Sequence, residues 1–112
     1  MRTGRSEALD ILNGWLSAQS DLRCFIEFPT FSVTLRGKVF AIQDSKVTIL
    51  SDDNGSELAL KLTAATEFGY GEPRMSPEDA ALYESVLTVY PASLPGTGTI
   101  DLIAIAKFKE SA

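Results

Sequence analysis

LRCFIEFPTFSVTLRGKVFA, residues 22–41, alternates apolar and polar side chains in two runs, with Pro29-Thr30 between them. Successive side chains of a β-strand point to opposite faces, so Leu22, Cys24, Ile26 and Phe28 share one face and Arg23, Phe25 and Glu27 the other. The second run sets Phe31, Val33, Leu35, Val39 and Ala41 together, and Gly37 offers a place for a bend or bulge. A hairpin folded about Pro29-Thr30 brings Arg23 near Arg36, with Lys38 beyond and Phe25 and Phe40 among them. Proline fits poorly in the primed turns that two-residue hairpins favour, so a longer loop and a slipped register are the competing expectation.

Upstream, Ala8, Leu9, Ile11, Leu12, Trp15 and Leu16 recur at three- and four-residue steps, which predicts an amphipathic helix from Ser6 to about Ala18. Ser6 can cap it, Glu7 and Asp10 place acids in its first turn, and Gly14 weakens it by roughly 1 kcal/mol. Downstream, Val47–Ser51 and Glu57–Leu62 read as a second hairpin. A two-residue turn at Asn54-Gly55 would pair Val47, Ile49 and Ser51 with Leu62, Leu60 and Leu58. Phe68 and Tyr70 begin a short strand. Ser76-Pro77-Glu78-Asp79 has the order of a capped helix start. Strands follow at about Glu84–Tyr90 and, beyond Pro91 and the turn ASLPGTG, at Thr99–Phe108. The second of these is apolar on both faces near Ile103–Ala106 and belongs in the middle of a sheet.

These elements predict one α+β domain over residues 1–112: an N-terminal helix packed on a curled, mostly antiparallel sheet of six to seven strands, a small open barrel or roll. Trp15 should lid the sheet, and truncation of Trp15, Phe28 or Phe31 should cost most. The layout is broadly similar to small barrels such as Sm-like or PilZ domains. The Arg-x-x-x-Arg pair and the Asp-x-Ser-x-x-Gly stretch through which PilZ domains bind a cyclic dinucleotide occur nowhere in this chain, and no family follows.

Composition excludes more than it selects. With 45% hydrophobic and 22% charged residues the chain matches neither a disordered segment nor a membrane span. A net charge of -5 opposes a phosphate backbone, which disfavours nucleic acid as partner. Histidine is absent, removing the triads that use it as base, and the lone Cys24 can form no intrachain disulfide or sulfur-rich zinc site. Residues 1–20 hold no uninterrupted apolar run of signal-peptide type, so a cytoplasmic location is the expectation. No cofactor or metal motif stands out.

EFGYGEPR, residues 67–74, spaces Gly69 and Gly71 as a dinucleotide fingerprint begins, but Arg74 stands where the third glycine belongs and no βαβ unit surrounds it. It reads as a strand end and a turn. In DDNGSE, residues 52–57, aligning Gly55 with the sixth position of a calcium loop puts Leu50 first and Lys61 twelfth, where carboxylates are required. A solvated turn with Asp52 opposite Glu57 is expected instead. Cys24 falls on an apolar face and reads as an inert thiol.

The remaining pattern supports a non-catalytic binding or interaction module, with the long second strand open to a homodimer or a protein partner by edge addition. Its rival is a small anionic-ligand domain, phosphate- or nucleotide-like, using Arg23, Arg36 and Lys38 with Tyr70 and Arg74. The competing arrangement neutralises both arginines with Glu27, Asp52 or Glu57.

Overall fold

In the computed structural model, which describes residues 2–43, 46–52, 55–71, 76–90 and 102–109, the Phe28 N–H donates to the Phe31 carbonyl at 2.8 Å. Pro29 and Thr30 are therefore the two central residues of a tight turn. Strands β2 (Leu22–Glu27) and β3 (Ser32–Gln43) pair from Glu27↔Ser32 to Leu22↔Gly37. Neither turn residue has a positive φ, so this is not one of the primed turns. The register nevertheless holds, with the rings of Phe28 and Phe31 stacked at 4.4 Å across the turn's base.

The other elements are β1 (Arg2–Thr3), α1 (Arg5–Ala18), β4 (Lys46–Ser51), β5 (Glu57–Lys61), β6 (Glu67–Gly71), α2 (Pro77–Ala80), β7 (Tyr83–Tyr90) and β8 (Leu102–Phe108). All strands lie in one antiparallel sheet ordered β1-β6-β7-β8-β2-β3-β4-β5. From β6 to β5 this is an antiparallel sheet of seven strands that does not close. β8 lies centrally, between β7 and β2, as its two apolar faces required.

One face of these seven strands converges on a single cluster. Leu22, Cys24, Ile26, Val39, Ile49, Leu60, Phe68, Leu87 and Ile105 meet Ala8, Leu12 and Trp15 of α1. The sheet curls around that core, and we call this its inner face. Each large side chain buried there contributes about 1.5–3 kcal/mol. Across the gap between β5 and β6, the Arg5 guanidinium donates to the carbonyls of Thr63 at 2.7 Å and Leu62 at 3.2 Å, while β1 pairs with β6.

Five local expectations are corrected. Helix α1 starts one residue early, so Gly4 rather than Ser6 is the N-cap, and Gln19 ends it at φ 51. The bulge in β3 falls between Val39 and Ala41, not at Gly37, which turns Ala41 outward opposite Thr48 and packs Ile42 on the core. Gly37 is small for another reason: a Cβ there would collide with the Leu50 carbonyl. The β4–β5 hairpin is offset by two residues, with Val47↔Leu60 and Ile49↔Leu58, because Ser51 N–H bonds the Ser56 carbonyl at 2.8 Å and closes a wider loop. A shift of two keeps every side chain on its expected face. It also leaves Glu57 opposite Leu50, not Asp52. Finally Phe31 is 57% exposed at the hairpin tip, where it stacks on Phe28, so its truncation should be mild.

Helix α2 begins as its residues dictate, with the Ser76 hydroxyl accepting from Asp79 N–H at 3.4 Å. The expected turns at 91–98, the first residues of the last strand at 99–101 and Asn54 lie outside the described residues. No described helix is long and apolar enough to cross a membrane.

Candidate functional site

The outer face of the sheet carries a second, smaller cluster in which Tyr83, Val86 and Ala106 are buried and Phe25, Ala104 and Phe108 are packed against them. Alternation along β8 puts Ala104, Ala106 and Phe108 outward because Ile103 and Ile105 face the core. Tyr83 would face inward with Leu87 and Val89, but a register shift between Tyr83 and Ser85 re-aims it opposite Phe108. The Tyr83 ring then meets Phe25 edge-on at 6.1 Å and tilts against Phe108 at 5.1 Å.

Arg23 and Arg36 are register partners on this face. Since Phe28 and Phe31 form a hydrogen-bonded pair, alternation makes Arg23↔Arg36 a non-hydrogen-bonded pair, the kind whose Cα atoms lie only about 4.5 Å apart. Like charges in that relation repel. Here both guanidiniums lie over the Phe108 ring, Arg36 at 4.5 Å and Arg23 at 5.3 Å from its centroid, and Arg23 also donates to the Tyr83 hydroxyl at 3.1 Å. The electron-rich face of an aromatic ring attracts cations by about 0.5–1 kcal/mol at exposed sites. Stacking occupies a guanidinium's flat face and leaves its in-plane N–H groups to meet an acceptor.

The acids nearby are committed elsewhere. Asp21 takes Lys38 at 3.4 Å, and Glu84 takes Lys107 at 2.8 Å. Among the described residues no carboxylate lies within ion-pair distance of either arginine, so the neutralisation by Glu27, Asp52 or Glu57 is not formed. Beside Arg36 and Phe108 opens a groove of about 410 Å³, walled by Ala18–Asp21 at the exit of α1 and by Lys107 and Lys109. Phe108 N–H donates to the Asp21 carbonyl at 3.1 Å, which fixes that exit against β8.

Of the residues expected to act together, Arg23, Arg36 and Lys38 do share this face. Tyr70 does not: it pairs with Leu87 on the inner face and packs on the main core, four strands away from β3. Arg74 lies outside the described residues. Phe108, Tyr83, Lys107 and Lys109 were missed, because their part depends on β8 lying beside β2 and on the β7 register shift. The outward alternation Ala104, Ala106, Phe108 was the one available signal.

No family model, no curated protein and no solved structure matches the chain.

The side chains that meet on this face are two arginines and a cluster of aromatic rings. Cys24 is fully buried on the opposite face, where burial pushes its thiol up from 9.0 to about 12 and keeps it a neutral, poor nucleophile. Among the described residues no group of three or more Cys, Asp or Glu stands close enough to hold a metal ion.

Proposed function

We propose that this protein is a non-catalytic binding module whose recognition surface is the outer basic face, with Arg23 and Arg36 on Phe108 and Lys38 at its margin, and that it takes an anionic, carboxylate- or phosphate-bearing partner. One observation carries this reading: two arginines stand directly opposite each other with no carboxylate partner among the described residues, in a chain with 15 acids against 10 bases. Holding like charges side by side costs stability, and an anion bound across both would relieve that cost while forming charge-assisted hydrogen bonds. Phe108 serves as the platform that keeps the pair together when unliganded.

NMR titration of the full chain with tripolyphosphate, and separately with an oligoglutamate peptide, tests it. Shifts should centre on Arg23, Arg36 and Phe108, weaken with added salt, and vanish in Arg36→Glu while that variant keeps its fold. Millimolar probe that perturbs no resonance on this face would sink the reading. So would an unchanged response in Arg36→Glu.

A further inference from the structure

Among the described residues, no strand pairs with one edge of β3 over its first residues. β4 covers β3 only from Gly37 to Gln43, whereas β2 pairs with it from Ser32 to Gly37. The hydrogen bond from Phe28 to the Phe31 carbonyl sets the alternation: Phe31, Val33 and Leu35 direct their backbone groups toward β2, and Ser32, Thr34 and Arg36 direct theirs away. The Arg36 carbonyl accordingly accepts from Asp52 N–H at 2.9 Å, the last rung on that side. No described strand lies opposite Ser32 and Thr34, and among the described residues nothing meets their two outward N–H and two outward C=O groups.

The sheet's two terminal strands are guarded. β1 is two residues long, and β5 carries Glu57 and Lys61 at its ends with Arg5 bonded to the carbonyls just beyond. Short length and charge are the usual defences of an edge. FSVTL, residues 31–35, has neither charge nor proline nor glycine, and it exposes Phe31 and Val33, the latter at 41%.

We infer that this edge pairs with the same edge of a second copy, antiparallel about a two-fold axis through Val33. The segment matches itself under that operation: apolar, hydroxyl, apolar, hydroxyl, apolar in either direction. Ser32 then exchanges both backbone bonds with Thr34 of the second copy and the reverse, four bonds in all by symmetry. Val33 meets its own copy, Phe31 meets Leu35, and the Ser32 and Thr34 hydroxyls pair on the outer face. Five residues per copy bury less than the ~1,200–2,000 Å² of standard stable interfaces, so the dimer is weak and reversible. This inference does not rest on anion binding.

Sedimentation of the full chain from about 5 to about 500 µM tests it, since such an equilibrium follows protomer concentration. A reversible monomer–dimer equilibrium is expected. Val33→Lys, which adds the charge that natural edges carry, should lower the association constant roughly tenfold or more. Thr34→Pro removes an outward N–H without breaking a bond to β2 and should do the same. Ala59→Lys on β5 should change nothing. In the unmodified chain, hydrogen exchange at the Ser32 and Thr34 amides should slow with rising concentration, while Val33 and Leu35 stay protected throughout. This measurement decides the matter even if Thr34→Pro fails to fold. A monomer over the whole range, a dimer indifferent to Val33→Lys, or Ser32 and Thr34 exchange independent of concentration overturns the inference.

Discussion

The two faces of the sheet are built from the same strands and do opposite work. The inner face gathers apolar side chains from seven strands and a helix into one cluster. The outer face gathers a cluster of only three buried hydrophobic residues among those described, and rests two cations on a ring. Inside, neighbours are alike and removing one leaves a void. Outside, neighbouring arginines oppose each other and are held by an intermediary. Stabilisation is least complete on the outer face, which is why that face is the one to probe.

Truncation should break the comparison most visibly on the inside. Leu12→Ala, at a fully buried position under the sheet, should cost about 2–5 kcal/mol in chemical denaturation. Gly37→Ala comes next: its Cβ meets the Leu50 backbone, which cannot move aside without disturbing the β3–β4 ladder, and a loss of about 1–3 kcal/mol is expected. Phe108→Leu sharpens the contrast on the outer side. It keeps apolar bulk but removes the ring beneath Arg23 and Arg36, for a loss of about 1 kcal/mol that shrinks with added salt as the arginine repulsion is screened. A salt-independent loss would mean that the ring only packs.

The smallest effect is one of pH. The Cys24 thiol titrates higher in the folded chain than its unfolded value of 9.0, so the folded state holds the proton more tightly. Its contribution to stability is whole below about pH 9 and is lost as pH rises toward about 12. Urea midpoints between pH 8 and pH 10 should fall for the natural chain and fall less for Cys24→Ala.

Much of the inner face was legible because alternation alone decides it. Leu22, Cys24 and Ile26 could face one way only if Arg23 and Phe25 faced the other, and the Arg23↔Arg36 pairing followed from the turn at Pro29-Thr30. Ser76 announced α2 because capping is a local contest between a hydroxyl and the next turn's N–H groups. What stayed hidden was non-local. No residue type demands a bulge at Phe40, so Ile42 and Ala41 exchanged faces unannounced. The offset of β5 comes from loop closure after Ser51. Phe108 reaches the arginines only because β8 lies beside β2, and Tyr83 joins them only through an irregularity in another strand. Tyr70 shows the converse error: nearness to glycines in sequence says nothing about which face a ring will occupy.

β8 follows every other strand in the chain yet occupies the middle of the sheet, joining the β6–β7 ribbon to the β2–β5 ribbon. During synthesis no strand pairing can join the two ribbons until this keystone leaves the ribosome; until then only α1 and β1 can hold them together. The molecule should acquire its shape in one late step, slowed by the long reach of that closure. A chain stopped short of Leu102 would be two unfinished pieces rather than a slightly smaller protein.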